Sequence, residues 1–128
     1  MKQADDFLKD LNVLVMVTGG KIAVDDKDKR HYEVSLKYVD PRKVGSATFP
    51  VFWKRGEVPT QKDILNNVIT YASTFEVDHS YVEWCATQGF NPRNDATRRM
   101  FWLAQLYASQ LRRFLGNSYQ DFLYQTEN

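Results

Sequence analysis

The side chains best suited to chemistry in this sequence are two histidines, one cysteine and a cluster of aspartates, and their spacing argues against catalysis. His31 and His79 lie far apart, and neither sits in a motif. No H-E-x-x-H helix, G-x-S-x-G elbow, phosphate-binding loop or dinucleotide fingerprint occurs. Gly19-Gly20 reads as a turn, because no G-K-[ST] follows to cradle a phosphate. Cys85 would need a base folded beside it to act as a nucleophile. Its place next to Trp84, on the apolar side of a short helix, reads instead as a buried structural thiol. Asp25, Asp26 and Asp28 suggest a calcium loop, but the EF-hand spacing and its distal glutamate are absent. Lys27, Lys29 and Arg30 also compete for the carboxylates. The sequence therefore predicts no catalytic residue, no metal site and no cofactor: a protein that works by binding.

The binding chemistry gathers on one segment, 95–115. Placed at about 100° per residue, Met100, Leu103, Ala104, Tyr107, Leu111, Phe114 and Leu115 make one broad apolar face. Arg98, Arg99, Arg112 and Arg113 fall on the opposite side, with Trp102, Leu106, Gln105 and Ser109 among them. A tryptophan and a leucine on an arginine-rich face depart from simple amphipathicity. Three readings stay open. Trp102 packs on a neighbouring element and the arginines are solvated. Or Trp102 flanked by arginines is a protein-binding hot spot, since Trp and Arg dominate such sites. Or the arginines hold phosphates while Trp102 stacks on a base. A homodimer using Trp102 and Leu106 is a further alternative.

The elements that must position this face follow from periodicity. Ala4, Phe7, Leu8 and Leu11 predict a short first helix. Val13 to Val17 is a continuous β-branched run that suits a buried strand, with Gly19-Gly20 ending it or turning a hairpin into Lys21–Val24. The stretch from Asp25 to Arg30 reads as a solvated loop. Tyr32, Val34, Leu36 and Tyr38 alternate with polar residues, the period of a half-buried strand. Ala47, Phe49, Val51 and Trp53 mark a third, which Pro50 assigns to an edge or a bulge. A helix then opens at Thr60, with Asp63 placed for a capping box and Ile64, Leu65, Val68, Ile69 and Ala72 as its stripe. Ser80 with Glu83 starts a short helix that Gly89 closes and Phe90 packs back upon. Asn94 or Asp95 caps the long helix, Gly116 ends it, and Tyr119, Phe122 and Leu123 follow inward. The reading is α+β: one domain over 1–128, with an antiparallel sheet of two to four strands in a β-rich half, 1–58, covered by a helical half, 59–128.

The whole chain sets the class. It has 128 residues, within the range of one domain. Seventeen basic and sixteen acidic side chains nearly cancel, which argues against a general polyanion binder and against an acidic DNA mimic. No apolar run approaches the ~20 residues of a membrane span. The N-terminus turns acidic at once and lacks a signal-peptide centre. A lone cysteine excludes an internal disulfide and fits a reducing compartment, so a cytoplasmic protein is expected.

The segment from Tyr81 to Phe90 contains Trp84-Cys85, three residues, then Gly89-Phe90. Upstream stand Tyr32-Glu33-Val34-Ser35-Leu36, a strand around Phe49–Trp53, and Pro59-Thr60-Gln61-Lys62-Asp63-Ile64-Leu65. In this order the chain resembles a large set of small, mostly uncharacterised proteins of bacteriophages, prophages and integrative elements. The resemblance spans about 12–115. It departs from the set at Asn91-Pro92-Arg93-Asn94-Asp95, where those proteins carry an acidic D-S-R-K-A-like helix start. What the resemblance implies is a mobile-element origin. Small non-enzymatic proteins of that origin are often inhibitors of host defence, anti-CRISPR proteins among them, that occlude a surface of a larger complex. The expected function is thus stoichiometric inhibition of a host defence protein, such as a CRISPR–Cas effector, in the bacterial cytoplasm. Nucleic-acid binding through the arginine and tryptophan face is the alternative.

Overall fold

The computed structural model describes residues 3–19, 29–54 and 56–125. Helix α1 (Ala4–Asp10) buries Ala4, Phe7 and Leu8. It stops at Asn12, whose φ of 58° is left-handed, a conformation asparagine tolerates better than most residues. The Asn12 carbonyl accepts from the Val39 N–H at 2.9 Å, which pins the α1–β1 turn to the far end of the next strand.

Strands β1 (Val13–Gly19), β2 (Lys29–Tyr38) and β3 (Ser46–Lys54) form an antiparallel sheet in the order β1-β2-β3. Val15 pairs with Leu36, and Val34 pairs with both Val17 and Phe49. The inner face is apolar, with Val13, Val34, Leu36, Ala47, Phe49 and Val51 buried. Because side chains alternate, the other face of β1 presents Leu14 and Met16, which are 49% and 50% exposed. The expectation of a buried β1 is therefore corrected. The apolar run forms an edge strand with one face open, since helices cover only one side of the sheet. Lys29 and Arg30, expected in a loop, belong to β2. The Gly20 turn, Lys21–Val24 and the three aspartates lie outside the described residues. Pro50 does lie on an edge strand, as its missing N–H requires.

The cover begins with α2 (Gln61–Val77). Its capping box forms: the Thr60 N–H donates to Asp63 Oδ2 at 2.9 Å, and the Asp63 N–H donates to Thr60 Oγ1 at 3.1 Å. Ile64, Leu65, Val68, Ile69, Ala72 and Phe75 are buried, the stripe expected plus one further turn. Helix α3 (Tyr81–Gln88) starts at Ser80, whose side chain makes no capping bond, contrary to the spacing with Glu83. Gly89 closes it at φ 77°, the Phe90 N–H donates to the Cys85 carbonyl at 2.9 Å, and the Phe90 ring lies 5.6 Å from Trp84. That is the left-handed cap with its apolar contact.

Helix α4 (Asp95–Leu115) is capped by the Asn94 side chain, which accepts from the Ala96 N–H at 2.9 Å. A 3₁₀ turn (Gly116–Ser118) leads into α5 (Tyr119–Gln125), with Tyr119 and Phe122 buried and Leu123 packed on the core. Helices α2 and α4 pack on each other and on the inner face of the sheet. Long polar reaches tie the layers. The Tyr38 hydroxyl donates to the Phe114 carbonyl at 2.7 Å while its ring stacks on Phe114, and the Tyr107 hydroxyl donates to the Pro50 carbonyl.

Candidate functional site

The inner side of α4 is what orients its outer side. Thr97, Ala104, Tyr107, Ala108, Leu111, Phe114 and Leu115 are buried, so the helix cannot rotate without exposing them. Met100 and Leu103, on the apolar face by helical angle, are half-buried. Phe101 seals a second aromatic cluster, 5.4 Å from Trp84, 5.3 Å from Tyr81 and 5.8 Å from Phe75. Anchored this way, α4 turns Arg98, Arg99, Trp102, Gln105 and Arg113 outward as exposed residues, with Leu106 half-buried beside them.

Trp102 is 57% exposed. That separates it from Trp84, which is buried, and from Trp53, which packs partly on the core and donates from Nε1 to Glu57 at 3.3 Å. The reading in which Trp102 packs on a neighbouring element is therefore set aside. Arg98, Arg99 and Arg113 make no ion pair among the described residues, although Asp95 lies one turn before Arg99. From Arg98 to Arg113 the face runs about 22 Å at 1.5 Å per residue. Tyr81 flanks its start. Burial and the neighbouring Cys85 thiol raise the Tyr81 pKa, and the Arg98 guanidinium acts against that rise.

Arg112 belongs elsewhere. Its guanidinium pairs with Glu76 Oε1 on α2 and lies over the Tyr119 ring, 5.5 Å from the centroid. The Tyr119 hydroxyl donates to the same carboxylate at 3.0 Å, and His79 Nε2 lies 3.7 Å from Glu76 Oε2. Burial first, then the Glu76 carboxylate, push the Tyr119 pKa upward. This knot ties α2, α4 and α5 together, so Arg112 sits at the border of the outer face. Its helical position already hinted at this, being only about 80° from Ala104 at 100° per residue. Nothing in the sequence singled out Glu76 as its partner.

The remaining chemistry-bearing side chains are dispersed. Cys85 is buried and free, His31 is buried with its ring 5.3 Å from Phe52, and His79 stacks on Phe75 at 4.9 Å. Among the described residues no three His, Cys, Asp or Glu side chains gather as metal ligands, and no helix is long and apolar enough to cross a membrane. In comparisons with known proteins, the chain matches no family model, no curated protein and no solved structure significantly.

Proposed function

We propose that this chain acts by binding a macromolecule through the outer face of α4, and not by catalysis. The observation that carries the reading is the exposed indole of Trp102 set among Arg98, Arg99 and Arg113, none of which makes an ion pair among the described residues. An exposed tryptophan on a rigid helix offers large contact area at little entropic cost, and guanidinium groups with no carboxylate partner among the described residues favour an anionic counterpart. The partner that fits is a protein surface bearing carboxylates. Taken with the resemblance to mobile-element proteins, this makes the chain a stoichiometric inhibitor of a host defence protein, a CRISPR–Cas effector among the choices, working in the bacterial cytoplasm. Trp102→Ala and Arg98→Glu should each abolish capture of the partner while the protein stays folded. Capture unchanged in both variants would refute the face.

A second reading rests on the same three arginines. Aligned along about 22 Å, Arg98, Arg99 and Arg113 could each meet a phosphate of a nucleic acid. Binding would then weaken with salt at a log–log slope of roughly 2 to 3 for three contacts. Binding without that slope removes this alternative.

A further inference from the structure

The two edges of the sheet are built differently. Midway along β3, Pro50 has no N–H to donate, and its carbonyl already accepts from the Tyr107 hydroxyl. A strand arriving at that edge would find neither donor nor acceptor there, which is how natural sheets block further pairing. Strand β1 carries no such device. Its sequence, Val-Leu-Val-Met-Val-Thr-Gly, has no charge and no proline, and among the described residues it pairs with β2 alone. Among the described residues no other backbone group bonds its outer edge. Leu14 and Met16, both half-exposed, stand on the open face of the same strand.

We propose that β1 is a self-association edge, pairing antiparallel with β1 of a second copy to double the three-stranded sheet. The occupant follows from complementarity. An antiparallel pair of identical strands is related by a two-fold axis, and a strand without charge meets no like charge in its own image. Centred on Val15, the pairing sets Leu14 of each copy opposite Met16 of the other and continues the apolar strip across the junction. The blocked β3 edge ends the assembly at two copies. The outer face of α4 is a separate surface, since the buried side of that helix is the one that packs on the sheet. Self-association at β1 therefore leaves Trp102 free, and it stands independently of the function proposed above.

Sedimentation equilibrium on the purified chain tests the inference. The wild type should shift from 15.0 kDa towards twice that mass as concentration rises into the millimolar range. Leu14→Lys with Met16→Lys, which places lysines opposite one another twice, should weaken dimerisation by about 10-fold or more. Trp102→Ala should leave it unchanged. A constant monomer mass, or a dimer indifferent to the lysines and lost with Trp102→Ala, would overturn the proposal. Should the double variant not fold, amide exchange on the wild type decides the matter. Protection of alternate β1 amides that falls on dilution supports the pairing, and exchange independent of concentration refutes it.

Discussion

Replacing each of two tryptophans by alanine distinguishes a binding residue from a folding one. Trp102 is 57% exposed and Trp84 is 2% exposed. A large aromatic side chain buries up to ~250 Å² when fully enclosed, so Trp102 loses at most roughly 100 Å² of contact. At about 25 cal/mol per Å² that is an upper bound near 2.5 kcal/mol. Part of this contact is with its own helix and survives in a compact unfolded chain, and alanine is the better helix former. A net cost of about 1 kcal/mol is expected for Trp102→Ala. Trp84→Ala opens a cavity in the α3–α4 aromatic cluster and should cost about 3 kcal/mol, the low end for such a deletion. The low end applies because Trp84 Nε1 is buried with no hydrogen-bond partner among the described residues, and losing an unsatisfied donor returns some free energy. The gap of about 2 kcal/mol corresponds to roughly 30-fold in the folding equilibrium. Urea unfolding followed by far-UV circular dichroism measures both midpoints at a common slope. Equal losses in the two variants, or an insoluble Trp102→Ala protein, would return Trp102 to the core and remove the basis for the binding face.

Other consequences of the architecture are open to measurement. Thr60→Ala should cost about 1 kcal/mol in thermal or urea unfolding by removing the α2 cap. The Thr60 N–H holds the Asp63 carboxyl below its usual range, so the contribution of Asp63 should be fully present above its unfolded pKa and vanish as pH falls through the lower folded value. An Asp63→Asn protein should show a flatter acid limb. Burial raises the pKa of both Tyr107 and Tyr119. Their stabilising effect is present below the ordinary tyrosine range of about 10 and is lost as pH rises beyond it, so ultraviolet titration should show these phenols ionising late or together with alkaline unfolding. Early ionisation of every tyrosine would contradict that burial. Gly89→Ala should cost about 1 kcal/mol by strain alone, since φ is 77° and an added Cβ would meet nothing within 4 Å.

Local signals in the sequence reached as far as local physics does. The Thr60–Asp63 box, the Gly89 cap with Phe90 and the helix start at Asn94 or Asp95 are each decided within a few residues and were legible, while Pro50 narrowed β3 to an edge or a bulge and the strand order makes it an edge. What failed was decided by packing between distant segments. A run of apolar residues from Val13 to Val17 looks the same whether one face of the strand is covered or two, so the exposure of Leu14 and Met16 could not be read. Arg112 stands at the border of the arginine face by helical angle, and its pairing with Glu76, on another helix, is encoded in no spacing. The exposure of Trp102 depended on whether any element crosses the outer side of α4, a tertiary fact that no spacing encodes.

The proposed binding of a protein partner by the outer face of α4 can be tested in one experiment. The most direct measurement captures partners from bacterial lysate with the tagged wild type and with its Trp102→Ala and Arg98→Glu variants in parallel, after nuclease treatment and a high-salt wash. One protein, a component of a defence complex, should be retained by the wild type and missing from both variants. Recovery of nucleic acid alone, lost on washing, or of the same protein by all three baits, would contradict it.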